Sequence, residues 1–293
     1  MPTNDRILPF LRWAGGKRWL SGYLGPILAA RLKENQGTYY EPFLGSASMF
    51  FSINPDYAYL SDINRDLIIT YRQVANNYSF LKKKLSSLSA SKSQYYIMRN
   101  LIPSTASERA VRLIYLNRNC FGGIYRENRN GIFNVPYGGG SRNHTSLANN
   151  GLLFHASEAL SKPGIHLIVS DFEKAIKKAS NGDVIYCDPT YQPVTRKHFD
   201  RYGKTIFNWA DQERLAKAAI DAYSRGALVI VSNGSFEEIE QLYPESILIS
   251  LVRKKGLGPA STRQKLGEYL FILDPKSAHN EWNKFEISIN SFE

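Results

Sequence analysis

Val184-Ile185-Tyr186-Cys187-Asp188-Pro189-Thr190-Tyr191 is the stretch on which the fold turns. Four apolar residues without a polar break suit a parallel strand buried on both faces, and the Asp-Pro that follows ends it. On either side, short apolar runs bounded by polar turns lie at 39–43, 57–61, 166–170, 228–232, 247–251 and 269–273. Amphipathic stretches at 19–33, 67–76, 173–179 and 211–223 alternate with them, the order expected of an α/β chain. The first and last thirds predict one doubly wound sheet. The middle differs: 80–88, 94–101 and 108–118 read as helices, followed by a Gly- and Asn-rich loop with no buried-strand run. Residues 64–150 are therefore expected to form a helical insertion between the second and third strands. Residues 1–63 and 151–293 form the discontinuous sheet domain around it.

With 293 residues and 43% hydrophobic composition, the chain can bury a core without disulfides or a metal. Its 37 Lys and Arg against 26 Asp and Glu give a net charge of +11, which favours a polyanionic partner. The excess is concentrated: residues 92–145 hold Lys92, Arg99, Arg109, Arg112, Arg118, Arg126, Arg129 and Arg142 against only Glu108 and Glu127. The two cysteines, Cys120 and Cys187, offer neither a disulfide framework nor a zinc spacing, which points to a reducing, cytoplasmic setting. No secretory pattern opens the chain, and no apolar run approaches the ~20 residues that span a bilayer.

Three further segments carry chemistry. Glu41-Pro42-Phe43-Leu44-Gly45-Ser46-Ala47 puts a glycine and small residues where open α/β sheets bind nucleotide-like ligands, although an ordinary strand-turn-helix crossover has the same look. Asp62, seventeen residues after Gly45, ends the second strand, where a carboxylate can accept hydrogen bonds from ribose hydroxyls. Trp13-Ala14-Gly15-Gly16-Lys17 is not a phosphate loop, because Leu11 and Arg18 stand where a Walker motif needs Gly and Ser or Thr. An indole beside a lysine suits an amino-acid ligand bearing a sulfonium and a carboxylate, or simply a helix start with a buried Trp. Asp188 and the Pro189 carbonyl can accept the two hydrogens of an exocyclic adenine amine, whose lone pair is otherwise delocalised into the ring. Tyr191 offers a face on which an extruded base stacks. A strand-ending Asp-Pro turn is the plainer reading of the same four residues.

Taken in order, these segments resemble those of Dam-type DNA adenine-N6 methyltransferases over nearly the whole chain. The matches are 10–17, 41–45, Ser61-Asp62-Ile63-Asn64, 186–191 and Ser232-Asn233. In the middle come Leu116-Asn117-Arg118, then Arg126, Asn128 and Gly131, then Phe133-Asn134-Val135-Pro136-Tyr137-Gly138, which resemble the family's target-recognition segment. The resemblance implies an α/β fold with a Rossmann-like, S-adenosylmethionine (SAM)-dependent methyltransferase sheet and an inserted helical target-recognition domain. It implies SAM contacts by Trp13, Ala14, Gly15, Lys17, Glu41, Pro42, Phe43, Gly45, Asp62, Asp171, Phe172 and Asp188, with Asp188, Pro189 and Tyr191 catalytic. It also implies contact with double-stranded DNA by Arg12, Asn117, Arg118, Phe121, Ile124, Arg126, Asn128, Asn134 and Pro136, with Phe121 as wedge and Arg126 as base reader. A monomer at the nucleoid, acting within GATC and alongside a cognate restriction endonuclease, completes the expectation.

Three residues depart from the pattern. Thr190 stands where the family's catalytic motif usually has a second proline, the Gly-loop usually keeps a second glycine or similar near Ala47, a small-for-small change, and Gly122 replaces an asparagine often seen beside the wedge, which weakens the GATC carry-over. The chain lacks a Pro-Cys pair, which argues against a cytosine-C5 enzyme. A cytosine-N4 enzyme and a DNA-binding protein on an inactive methyltransferase scaffold remain open at this level. An NAD-dependent oxidoreductase would share the adenosyl site but has no use for 188–191.

Overall fold

A computed structural model describes residues 7–13, 15–128, 131–139, 144–145, 147, 151–190, 207–254, 265–276 and 278–290. Ala14, Arg129, Arg142 and Tyr191 lie outside the described residues. In chain order the elements are α1 (Arg18–Asn35), β1 (Tyr39–Glu41), α2 (Ser48–Ile53), β2 (Tyr57–Asp62), α3 (Arg65–Asn76), α4 (Tyr78–Ser86), α5 (Lys92–Asn100) and α6 (Ala106–Asn119). There follow α7 (Leu152–Leu160), β3 (Gly164–Val169), α8 (Phe172–Ile176), β4 (Val184–Cys187), α9 (Trp209–Ser224), β5 (Leu228–Gly234), α10 (Glu237–Glu240), β6 (Ile247–Lys254), β7 (Lys265–Leu273) and α11 (His279–Asn290). The strands belong to a mixed seven-stranded sheet in the order β3-β2-β1-β4-β5-β7-β6, an α/β fold. Among the described residues no helix is long and apolar enough to cross a membrane.

The chain forms two compact units, Met1–Gly22 with Leu44–Val169 and Tyr23–Phe43 with Ser170–Glu293. In the first, β2 and β3 pair in parallel from Tyr57 opposite Gly164 to Asp62 opposite Val169. Among the described residues, helices α3 to α7 lie between these strands. Their ends are set by local chemistry. The Asn64 side chain accepts the Leu67 N–H at the start of α3, and Thr105 and Glu108 close a capping box on α6. Phe10 is fully buried edge-on to Phe51 and Tyr71, so the segment before α1 is anchored in this core.

In the second unit β1, β4 and β5 run parallel, with Tyr40 opposite Ile185 and Tyr186 opposite Ile230. Every residue of β4 and β5 is buried, which is why 184–187 and 228–231 read as unbroken apolar runs. β1 stops at Glu41, short of the predicted 43, because Pro42 has no N–H to continue a ladder. β7 runs antiparallel to both β5 and β6, a reversal on which the apolar pattern is silent.

One buried ionic cluster fastens the end of this unit. Arg31 on α1 donates to Asp274 Oδ2 at 2.8 Å and to Glu281 Oε2 at 2.6 Å, while the Trp282 indole N–H donates to the same Asp274 oxygen at 2.9 Å. The Arg31 and Asp274 side chains are only 7% and 1% exposed. Removing one partner of such a pair strands the other charge away from water. Asp274→Ala is therefore expected to cost about 3–5 kcal/mol in urea denaturation, and Lys276→Ala, on an exposed ion pair, no more than about 0.5 kcal/mol. Equal losses in the two variants would show that the buried cluster is not the fastening.

Candidate functional site

In the first unit two loops meet at Asp62. Its Oδ2 accepts the Gly45 N–H at 3.2 Å and its Oδ1 the Asn64 N–H at 2.9 Å. Burial raises this carboxyl above the usual carboxylate range, against the pull of the Asn64, Gly45 and Ile63 N–H groups. Gly45 has φ +46°, and a Cβ there would stand 3.0 Å from Trp13 Cδ1, so the indole packs on bare backbone. Lys17 is 2% exposed, with Nζ 3.3 Å from the Gly15 carbonyl. Ala47 adopts φ 55° and ψ 32°, the left-handed region. Ala47 thus carries a Cβ on a conformation that glycine reaches without strain.

The candidate recognition segment pairs as a hairpin. Phe121 N–H donates to Pro136 O at 2.9 Å, Gly138 N–H to Asn119 O at 2.8 Å, Asn134 N–H to Arg126 O at 3.2 Å and Asn128 N–H to Ile132 O at 2.9 Å. On its surface Phe121 is 61% and Ile124 42% exposed, both large apolar side chains facing solvent. Arg126, Asn128, Asn134 and Pro136 are exposed as well. Arg126 Nε donates to Asn134 Oδ1 at 3.1 Å, and Asn128 Oδ1 accepts the Ile132 N–H at 3.0 Å. Asn117 behaves differently from the rest of its set. It is fully buried; its Oδ1 accepts the Arg12 N–H at 2.8 Å and its Nδ2 donates to the Arg12 carbonyl at 2.6 Å. Asn117 therefore holds the backbone of Arg12 instead of standing on the surface. Half-buried Arg118 lies close enough to Arg12 for the two charges to repel; burial first, then Arg12, pull the Arg118 guanidinium down to about 10.

The second unit holds the remaining residues. Buried Glu41 accepts the Tyr39 hydroxyl at 2.9 Å, and Pro42 is buried beside it in sequence. Phe43 stacks on Phe172 with ring centroids 5.2 Å apart, and Phe207 lies edge-on to Phe43 at 5.5 Å. Asp171 caps α8 through the Glu173 N–H at 3.0 Å and pairs with Arg214 at 2.8 Å, whose guanidinium lies 4.8 Å over the Phe172 ring. At the carboxyl end of β4, Asp188 is half-buried, Pro189 buried and Thr190 exposed. Burial first, then the Asp188 and Glu41 charges, push the Cys187 thiol far above its usual value; burial raises Cys120 to about 11. Neither cysteine is a nucleophile.

Tyr125, Phe207 and Arg214 are additions that sequence reasoning missed. Tyr125 stacks on Trp13 with centroids 5.2 Å apart and an interplanar angle of 17°, across a separation in sequence that no local spacing reveals.

Comparison with known proteins agrees with this assembly of motifs. The model of the D12 class N6 adenine-specific DNA methyltransferase family matches residues 13–256. The Type II methyltransferase M1.LlaDCHI of Lactococcus lactis subsp. cremoris is 33% identical over 275 residues, 90% of this chain and 94% of the relative. The Type II methyltransferase M.MjaIII of Methanocaldococcus jannaschii is 31% identical over 91% of this chain and 98% of its own length. The DNA adenine methylase of Serratia marcescens is 31% identical over 90% of this chain and 97% of its own length. The chain therefore belongs to the D12 class of N6 adenine-specific DNA methyltransferases.

Proposed function

We propose that the chain transfers the methyl group of SAM to the N6 amine of an adenine extruded from duplex DNA, with Asp188 and Pro189 directing the amine. The observation that carries this reading is the position of Asp188-Pro189 at the carboxyl end of a strand buried along its whole length. The chemistry of the first unit's donor set fits the cofactor: an acceptor for ribose hydroxyls in Asp62, a bare-backbone cradle at Gly45, an indole face in Trp13 and a buried ammonium in Lys17 for a carboxylate. SAM supplies an electrophilic methyl when bound. The Asp188 carboxylate and the Pro189 carbonyl accept the two amine hydrogens and so turn the nitrogen lone pair toward attack. Tyr191 stacks the base. Thr190 supplies neither acceptor, so its departure from the family pattern leaves the chemistry in place. In the second unit, Asp171, held by Arg214, fixes the start of α8.

DNA docks through residues 64–150. Arg12 and Arg118 draw phosphate, Arg126 with its partner Asn134 reads a base edge, and Phe121 with Ile124 fills the vacated stack. GATC is the target to test first, with Gly122 the residue most able to shift it. The chain acts as a monomer on nucleoid DNA, and the Type II name of two relatives supports work alongside a cognate restriction endonuclease.

Three outcomes test this. Asp188→Ala is expected to lower transfer of labelled methyl to unmethylated DNA by about a hundredfold or more while duplex binding survives, because the surviving carbonyl cannot hold the amine alone; near-normal turnover would remove Asp188 from the mechanism. The Asp62 contact with ribose uses the ionised carboxylate, and its raised pKa means the proton returns at a higher pH than on an exposed aspartate. Calorimetric affinity for S-adenosylhomocysteine should thus fall as pH is lowered, the fall beginning above the ordinary range of about 3.9, and Asp62→Asn should lose that step. Identical pH profiles would overturn the ribose contact. Arg126→Ala should weaken binding by about 1–3 kcal/mol at one base pair; an equal loss on every duplex would make it a phosphate contact.

A further inference from the structure

The proposed cofactor loop and the recognition hairpin are joined at three points, all within the first unit. Asn117 grips both polar backbone groups of Arg12, at 2.8 and 2.6 Å. Arg12 in turn lies directly against Gly123 of the hairpin: a Cβ on Gly123, which has φ +67°, would come within 2.5 Å of the Arg12 Cδ and 2.9 Å of its Cβ. The third joint is aromatic. Trp13 packs against the bare backbone of Gly45 and against the near-parallel ring of Tyr125, 5.2 Å away. Tyr125 is tied into the hairpin in its own right. Its hydroxyl donates to Glu127 at 2.5 Å, its ring meets Phe133 at 5.5 Å, and Glu127 and Phe133 bridge the two arms of the hairpin. Between Tyr125 and Glu127 stands Arg126, whose carbonyl and guanidinium both engage Asn134. A shift of the indole plane therefore passes through one ring into the strand that carries the base-reading pair.

We propose that Tyr125 is a positioning residue that couples cofactor occupancy to target reading. This rests on the reading above in which Trp13 contacts the cofactor. A ligand that fixes the indole fixes the Tyr125 ring, and with it Arg126 and Asn134; a duplex that fixes Arg126 fixes the indole in return. Coupling of two binding events is reciprocal by thermodynamic necessity, so it is measurable from either side. The strength of one stacked aromatic pair sets its size at about 3- to 10-fold in affinity.

The experiment is calorimetric titration of S-adenosylhomocysteine into the protein, with and without a saturating unmethylated plasmid duplex that the protein methylates. The wild-type chain is expected to bind S-adenosylhomocysteine about 3- to 10-fold more tightly with duplex present. Tyr125→Phe, which keeps the ring, should retain that factor. Tyr125→Leu, which keeps bulk without the ring, should lose the tightening, read as the ratio of its own S-adenosylhomocysteine affinities with and without duplex, whatever its affinity in the absence of DNA. Full tightening in Tyr125→Leu, or none in the wild type, overturns the coupling. Trp13→Ala separates the two readings: unchanged S-adenosylhomocysteine affinity there overturns the cofactor site itself, whereas weakened affinity with coupling intact in Tyr125→Leu overturns only the role of Tyr125.

Discussion

A strand covered on both faces can present polar chemistry only where it ends. β4 is buried from Val184 to Cys187, and its backbone groups are taken up by β1 on one side and β5 on the other. The first side chain free of that constraint is Asp188, half-buried as the chain leaves the sheet. The ladder fixes where β4 stops, so it also fixes where this carboxylate stands. The same logic governs β1, which ends at the buried Glu41, and β2, which ends at Asp62. In each case a rigid element sets the position of a short polar side chain, which is how a site is held to the precision that chemistry requires.

Most of the fold was legible because burial on two faces leaves unbroken apolar runs and burial on one helix face leaves a periodic one. The run 184–187 became β4 residue for residue. Strand direction has no such signature, so the reversal of β7 could not be read from Lys265–Leu273. Site residues were legible by type but not by environment. Asn117 was recognisable within its motif, yet nothing in Leu116-Asn117-Arg118 says that the amide is buried against Arg12. Ala47 looked like an equivalent of glycine by size, and only its φ of 55° shows the difference. Tyr125 carried no signal at all, since its partner Trp13 lies in another segment and stacking obeys no sequence period.

The hairpin and the loops around Asp62 solve opposite problems. The loops bury their polar groups: Gly45 and Asn64 donate to Asp62, and Lys17 is withdrawn from solvent. The hairpin exposes its apolar ones, Phe121 and Ile124. Asn117 spans the difference by using a buried amide as a substitute rung of backbone ladder, with one acceptor and one donor facing a single residue. An aspartate there would keep the acceptor but meet the Arg12 carbonyl with a second oxygen, so the position calls for an amide.

The two cysteines give the protein an unplanned convenience. Both are buried, and burial holds both thiols in the protonated form, Cys120 at about 11 and Cys187 higher still. Alkylating reagents and disulfide exchange act on the thiolate, a form that burial disfavours at both positions. A single cysteine introduced at an exposed hairpin position such as Ile132, which is 56% exposed, would take a spectroscopic label in preference to either native thiol. The chain thus arrives as a ready background for site-selective probes, with neither native thiol needing to be removed.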